Sequence, residues 1–199
     1  MEFLDKKDID KCVKILNEDK ALIFPTETVF GIGIKATSLS NYEKLVEIKK
    51  RPPDKPFTLM CSNLSQFENF VEINETTRKI IASFMPGPIT LILKTKKDVP
   101  HFIDLGTGFV GVRIPNDEFV LKLIFALGEP LLVPSANKSG DVPALDSKVA
   151  YEYFKNDDID IVKGKCDNGQ ASTIIKIDGE DISLIREGPI TFNEIKEII

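Results

Sequence analysis

Tryptophan is absent from this sequence, and histidine occurs once, as His101. Catalysis that needs several histidines is therefore not expected, and the setting of His101 in VPHFIDLG is typical of a loop residue rather than a general base. The three cysteines, Cys12, Cys61 and Cys166, lie far apart, and no Cys-x-x-Cys pattern occurs. This spacing predicts neither a disulfide framework nor a structural zinc site.

Long hydrophobic runs are also missing. No apolar stretch reaches the length of a membrane span, and the opening MEFLD does not resemble a signal peptide. The formal net charge of -5 argues against a dedicated nucleic-acid-binding domain, which is usually basic. No Walker-type phosphate loop occurs, so a nucleotide would have to be held in another way. We expect a cytoplasmic protein without a membrane segment.

The sequence does contain enough apolar residues for a core. Its 199 residues are 42% hydrophobic, which is typical of a globular protein, and we expect residues 1–199 to form a single domain. Helical and strand-like patterns alternate, which indicates an α/β fold. Helices are predicted at 8–19, 42–49, 78–84, 118–127 and 147–155 and after Thr191, and strands at 21–24, 57–62, 89–93, 109–114, 131–133, 159–162, 172–177 and 182–185. A short turn at Asp178-Gly179 predicts a hairpin, and therefore a mixed sheet.

Three hydrogen-bonding side chains follow the first apolar strand, in FPTETVFGIG (residues 24–33). Thr26, Glu27 and Thr28 stand between a proline and two glycines, where the backbone is free to bend. This segment is either a plain turn or a ligand site at the carboxyl end of a strand, where open α/β sheets usually bind their ligands.

Cations are concentrated in KKRPPDKPF (residues 49–57), directly after a predicted helix. Lys49, Arg51 and Lys55 have two interpretations. They are either ordinary charges that complement a helix C-terminus, or fixed cations that point into a cleft and neutralise a polyphosphate.

Ser135 and Asn137 follow the apolar strand LLV, in VPSANKSG (residues 133–140). Alternate side chains of an extended segment point the same way, so these two can act as a pair on one ligand. The alternative is a turn built from the residues that are usual in turns.

Arg113 lies inside an apolar strand, in GVRIP (residues 111–115). A buried arginine needs a paired anion, because an unpaired buried charge is very unfavourable. Its partner is either an internal carboxylate or a ligand carboxylate, and both remain open at this stage.

Several segments taken together resemble the YrdC family. They are FPTETVFGIG (24–33), the Lys49-x-Arg51 pair, PGPITLIL (86–93), VGVRIP (110–115), PSANKSG (134–140), STII (172–175) and IREG (185–188). Each segment alone is weak, but their order and spacing agree from about residue 8 to residue 190. The resemblance implies a YrdC-like α/β fold, in which a twisted mixed β-sheet and surrounding helices form a large concave cationic cavity.

Characterised members of this family are threonylcarbamoyl-AMP synthases. The resemblance therefore implies a nucleotidyltransferase that combines L-threonine, bicarbonate and ATP into threonylcarbamoyl-adenylate and pyrophosphate. Mg²⁺ is expected to bind with the ATP phosphates, and no metal site made of protein ligands is expected. Partner proteins are expected to pass the threonylcarbamoyl group to an adenosine next to the anticodon of tRNA.

The resemblance also assigns residues by position, in three overlapping groups. The expected L-threonine-binding residues are Thr28, Arg113, Ser135 and Ser172. The expected nucleotide-binding residues are Arg51, Lys55, Asn137 and Arg186. The expected catalytic residues are Lys49, Arg51, Ser135 and Asn137. These types suit the reaction because carbamate attack on the α-phosphate develops negative charge, which fixed cations stabilise.

Two positions depart from the pattern of some relatives. At the position of Met60, some relatives have a histidine that contacts the threonine pocket. Leu145 is the last residue of the segment Pro-Ala-Leu. Some relatives have Ser-Pro-Thr at these positions, close to the nucleotide. The effects of both positions on threonine and ATP binding are left open.

Two other functions remain as alternatives. One is a paralogue of the same fold with a different or weak nucleotide reaction. The other is an RNA-binding module, for which the overall acidity and the lack of a ladder of exposed aromatic residues are unfavourable. Its basis is the set of basic residues Lys44, Lys49, Lys50, Arg51, Lys55, Lys94, Lys96 and Lys97.

Overall fold

The structure is a computed structural model that describes residues 1–50 and 55–199. Within these residues the chain forms ten strands and eight helices. The strands are β1 (Phe3–Leu4), β2 (Leu22–Phe24), β3 (Gly31–Lys35), β4 (Leu59–Met60), β5 (Ile89–Lys94), β6 (Phe109–Arg113), β7 (Leu131–Leu132), β8 (Asp160–Val162), β9 (Thr173–Asp178) and β10 (Asp181–Arg186). The helices are α1 (Ile9–Asn17), α2 (Leu39–Lys49), α3 (Leu64–Glu68), α4 (Glu75–Phe84), α5 (His101–Asp104), α6 (Glu118–Leu127), α7 (Ser147–Phe154) and α8 (Phe192–Lys196).

The described strands form one mixed sheet, in the order β1-β8-β2-β3-β7-β4-β6-β5-β9-β10. The pairs β1–β8, β2–β8, β4–β6 and β5–β9 are parallel, and the other neighbours are antiparallel. The predicted α/β class and mixed sheet are therefore confirmed. β9 and β10 form the hairpin that was predicted around Asp178-Gly179.

β3 was not predicted, because its sequence begins with the glycines of GIGIK. The chain does bend in the loop before this strand, at residues 27–29, whereas Gly31 and Gly33 both lie in the strand. A Cβ atom added to Gly31 would lie 2.5 Å from Val133 Cγ1, and one added to Gly33 would lie 2.6 Å from Phe24 Cε1. These glycines allow close packing between neighbouring segments, which is a common reason for glycine within a strand.

The sheet has an apolar core on each face. Ile23 of β2 belongs to one core, whereas its neighbours Leu22 and Phe24 belong to the other. This division follows from the alternation of side chains along a strand. Helices α1 and α6 cover the second core, and α2, α4, α7 and α8 contribute to the first. None of the helices in the described ranges combines the length and the apolar character that crossing a membrane requires.

Helix α2 determines where its last lysine lies. Ser38 caps the helix by accepting a hydrogen bond from the backbone N–H of Asn41. Asn41, Leu45 and Lys49 are its buried residues, and their spacing of four places them on one face. Lys49 therefore points toward the interior instead of following the exposed Lys44 and Lys50 into solvent.

Candidate active site

A cavity of about 180 Å³ opens on the sheet near the ends of β4 and β6 and the start of β9. Its lining contains predicted site residues that are far apart in the sequence. They are Thr28, Arg113, Ser135, Ser172 and Arg186. The fold therefore brings the expected threonine-binding residues together at one place.

The loop between β2 and β3 forms one wall of this cavity. Thr26 is buried, and its Oγ1 lies 2.9 Å from Thr28 Oγ1. Thr26 Oγ1 also donates to the Val29 carbonyl at 2.8 Å and accepts from the Thr28 N–H at 3.1 Å. The hydroxyl group of Thr26 thus satisfies the backbone of the turn, and it fixes the position of Thr28 in the cavity wall.

The segment that contains Ser135 is held alongside this loop. Gly31 and Ser135 form an antiparallel bridge, and the Ala136 N–H donates to the Phe30 carbonyl at 2.7 Å. Ser135 Oγ donates to Asn137 Oδ1 at 2.6 Å. The amide nitrogen of Asn137 donates in turn to the carbonyls of Lys138 and Asp141, at 2.8 and 2.7 Å. Asn137 therefore organises the turn, while Ser135 faces the cavity.

Lys49 lies behind this turn. Its side-chain ammonium donates to the main-chain oxygens of Ser135 and Asn137 and to Asn137 Oδ1. The residue is 2% exposed and does not belong to the described lining of the cavity. The structure thus connects Lys49 with the Ser-x-Asn motif, although Lys49 is not among the described lining residues, where a phosphate-binding cation would be expected.

Arg113 ends β6 and forms an ion pair with a residue of the loop after β2. Its Nη2 lies 2.7 Å from Glu27 Oε1, and its Nε donates to the Gly87 carbonyl at 3.3 Å. Both side chains are buried, with exposed fractions of 6% and 8%. The sequence left two kinds of anion open for Arg113, and the structure contains the internal carboxylate.

Ser172 and Arg186 form the opposite wall. Ser172 Oγ lies 2.9 Å from Thr90 Oγ1, so the two hydroxyl groups share a hydrogen bond. Arg186 donates to the Ser172 carbonyl from Nε at 3.0 Å and from Nη2 at 2.8 Å. Burial lowers the pKa of Arg186, and the nearby positive charge of Arg113 lowers it further.

The charged residues of the described lining are all positive. Arg113 and Arg186 are in the wall, and none of the described lining residues is an aspartate or a glutamate. Glu27 neutralises Arg113 from behind, but no ion pair is present at Arg186 among the residues that the structure describes. An anion that enters this cavity would therefore meet a guanidinium group that lacks a carboxylate partner.

The other positions that the sequence singled out differ in their relation to the cavity. Lys55 is exposed and is not among the described lining residues. Arg51 lies outside the described residues. Met60 lines the cavity, whereas Leu145 is 39% exposed and its neighbour Pro143 occupies the wall instead. The departure at Met60 is thus the one that directly changes the lining of the cavity.

Thr90 and Glu27 are residues of the site for which the sequence indicated no role. Thr90 lies in the strand ITLIL, where a lone threonine has no distinctive signal. Glu27 lies within the segment FPTETVFGIG, where no local pattern indicates that it pairs with Arg113. The sequence did indicate that a buried Arg113 needs an anionic partner. The local pattern does not show which carboxylate is that partner.

The sequence is similar to that of several known proteins. The profile of the Sua5/YciO/YrdC family, described as telomere recombination, matches residues 14–188. A putative threonylcarbamoyl-AMP synthase of Methanocaldococcus jannaschii is 34% identical over 196 residues, which cover 98% of this chain and 88% of that protein. The threonylcarbamoyl-AMP synthase of Pyrococcus abyssi is 34% identical over 186 residues, which cover 92% of this chain and 55% of that protein.

The structural likeness extends over the same region. The crystal structure of P. abyssi Sua5 complexed with L-threonine matches with a TM-score of 0.93 and 32% identity, and the match covers 100% of this chain and 59% of that one. This chain therefore spans little more than half the length of the Pyrococcus relative. Escherichia coli YciO, at 24% identity, shares the fold with a TM-score of 0.87. On the match of its sequence and its fold, this chain belongs to the Sua5/YciO/YrdC family.

Proposed function

We propose that this protein is an L-threonylcarbamoyladenylate synthase, a nucleotidyltransferase that forms threonylcarbamoyl-AMP and pyrophosphate from L-threonine, bicarbonate and ATP. The single observation that carries the proposal is the convergence of Thr28, Arg113, Ser135 and Ser172 on one cavity. The names of the relatives and the solved L-threonine complex of P. abyssi Sua5 support the same activity.

The chemistry of the lining suits an amino acid. Arg113 supplies a guanidinium group for the carboxylate of threonine, which a planar fork binds with good geometry. Thr28, Ser135 and Ser172 supply hydroxyl groups, which can both donate and accept hydrogen bonds. Met60 and the other apolar lining residues can contact the methyl group of the side chain.

The positive charge suits the nucleotide step. When the carbamate oxygen of the substrate attacks the α-phosphate and pyrophosphate leaves, negative charge develops on the phosphoryl oxygens. Under this proposal Arg186, which lines the cavity, stabilises such charge, since fixed cations favour the transition state more than the ground state. We propose that Arg51 and Lys55 contribute to the same task.

Mg²⁺ would enter with ATP under this proposal. Among the described residues, no group of His, Cys, Asp or Glu side chains could hold a metal ion. The described lining contains residues with hydroxyl groups but no carboxylate. Mg²⁺ is commonly bound through substrate phosphates and water with few protein ligands, so this lining fits a metal carried by the phosphates.

Pyrophosphate release tests the proposal directly. Purified protein would be given Mg²⁺ and ATP, with bicarbonate and L-threonine added together or left out singly. We expect release only when all substrates are present, and incorporation of ¹³C-bicarbonate into the adenylate in mass spectrometry. Release that is independent of threonine would identify a paralogue with a different nucleotide reaction.

The RNA-binding alternative has less support. Lys49 is buried and donates its hydrogen bonds inside the protein, so it is not accessible to RNA. Lys94 forms an ion pair with Glu72 at 3.4 Å. We propose that the protein binds free tRNA weakly and that threonylcarbamoyl-transfer proteins carry its product to tRNA. Tight tRNA binding with a steep salt dependence, undisturbed by ATP, would favour the RNA module instead.

A further inference from the structure

Glu27 is held firmly although it does not belong to the described lining of the cavity. Its Oε1 accepts a hydrogen bond from the Asn116 N–H at 2.8 Å and lies 2.7 Å from Arg113 Nη2. Its main-chain oxygen accepts from the Asn168 N–H at 3.0 Å. Both the backbone and the side chain of Glu27 are therefore fixed by distant parts of the chain.

Protein groups contact only some of the guanidinium nitrogens of Arg113. Nε donates to the Gly87 carbonyl, and Nη2 lies beside Glu27. A guanidinium has five N–H donors, so donors remain after these contacts. Among the residues that the structure describes, Nη1 makes no hydrogen bond to the protein, while Arg113 itself lines the cavity.

Two buried atoms of this pair lack a hydrogen-bond partner in the described structure. They are Glu27 Oε2 and Arg113 Nη2, since the short Nη2–Oε1 contact lacks the alignment of a hydrogen bond. Leaving a buried charged group with unused hydrogen-bonding capacity is unfavourable. Arg113 lines the cavity and Glu27 does not, so the guanidinium is the part of this pair that a ligand in the cavity can contact.

We propose that Glu27 is a positioning residue for the substrate amino acid. From behind the cavity wall it holds Arg113 by one nitrogen, so that the free end of the guanidinium faces the carboxylate of L-threonine. This inference rests on the proposed function, because it assumes that threonine is the occupant. Glu27 touches no reacting atom and acts only through Arg113.

A purely structural pair would behave differently. If Glu27 only compensated the buried charge of Arg113, its loss would weaken the whole fold and would affect every ligand alike. A positioning role instead weakens the binding of the carboxylate ligand selectively. It also makes the effect of Glu27 dependent on the presence of Arg113.

Calorimetric titration distinguishes these cases. L-Threonine and ADP would be titrated separately into the native protein, Glu27→Gln and Glu27→Ala. Glu129→Gln is the matched control, because Glu129 is a partly buried carboxylate paired with Lys35 outside the described lining. We expect the Kd for threonine to rise about threefold to tenfold in Glu27→Gln, which keeps an oxygen for Asn116, and more than about tenfold in Glu27→Ala. The Kd for ADP should change less than about twofold in every variant.

The double variant Glu27→Ala/Arg113→Ala completes the design. In the Arg113→Ala background, removal of Glu27 should weaken threonine binding no further, because coupled residues are not additive. Unchanged or tighter threonine binding in Glu27→Gln, or equal losses for threonine and ADP, would overturn the positioning role. If Glu27→Ala does not fold, the result for Glu27→Gln decides alone. Absence of threonine binding by the native protein would overturn the proposed function itself, and this inference with it.

Discussion

The buried ammonium group of Lys49 donates hydrogen bonds to both oxygens of Asn137, at 2.7 Å to the main-chain oxygen and at 3.2 Å to the side-chain oxygen. Lys49 and the Ser-x-Asn motif, which are far apart in the sequence, thereby form one unit behind the cavity wall. The position of Ser135 depends on this unit, since Ser135 contacts both Lys49 and Asn137.

Lys49→Ala should lower both stability and activity. The carbonyls of Ser135 and Asn137 would lose their donor, which we expect to lower the free energy of unfolding by about 1–3 kcal/mol. Pyrophosphate release should fall at least about tenfold, because the turn that carries Ser135 would lose its support. Denaturant unfolding and steady-state kinetics check the two effects. Lys44→Ala is the control, because Lys44 occupies an exposed position of the same helix. Full activity in folded Lys49→Ala would contradict the prediction.

Asn137→Ala should be more damaging than Ser135→Ala to stability. Asn137 uses both ends of its amide inside the turn, whereas Ser135 contributes one hydroxyl hydrogen bond. We expect Asn137→Ala to lower the free energy of unfolding by about 1–3 kcal/mol, and we expect a smaller loss for Ser135→Ala. Activity should fall in both variants even at saturating ATP. Equal stability of the two variants in thermal unfolding would show that the turn does not depend on the amide.

Arg113→Lys should change threonine recognition more than ATP recognition. The lysine keeps the positive charge but cannot form two parallel hydrogen bonds with a carboxylate. We expect the KM for threonine to rise at least about tenfold, with a much smaller change for ATP. L-Threonine amide lacks the carboxylate, so it should be a poor substrate of the native enzyme and should lose little further in the variant. Should threonine and its amide be affected equally, Arg113 serves only its pair with Glu27.

Gly31→Ala should destabilise the protein through a single contact. The new methyl group would lie 2.5 Å from Val133 Cγ1, which forces the two segments apart. We expect a loss of about 1–3 kcal/mol, as is usual for overpacking. Val133→Ala removes the opposing methyl groups, so the double variant should be more stable than the sum of the two single effects predicts. A strictly additive double-mutant cycle would rule out this contact as the cause.

The local elements could be predicted from the sequence where both ends carry their own signals. α6 spans Glu118–Leu127, as predicted, because the Asp117 side chain accepts from the Val120 N–H and Gly128 ends the helix with a φ of 81°. The capping box of Thr191 and Glu194 is likewise present at the start of α8. By contrast, β1, β3, α3 and α5 were not predicted. Their segments are short or contain glycine, so the periodicity that identifies a longer element is not visible in them.

The sequence by itself determined the fold class and the family, because motif order and periodicity are properties of the chain. It also indicated five of the residues that line the cavity, namely Thr28, Arg113, Ser135, Ser172 and Arg186. Only the tertiary structure decided which residues meet. Glu27 and Arg113 are paired because the loop after β2 and the end of β6 face one another, although these two segments are not neighbours in the sheet. Lys49 is internal because the last turn of α2 presents it to the Ser135 turn. Both contacts join segments that are distant in the sequence, and no local pattern specifies the partner of a buried charge.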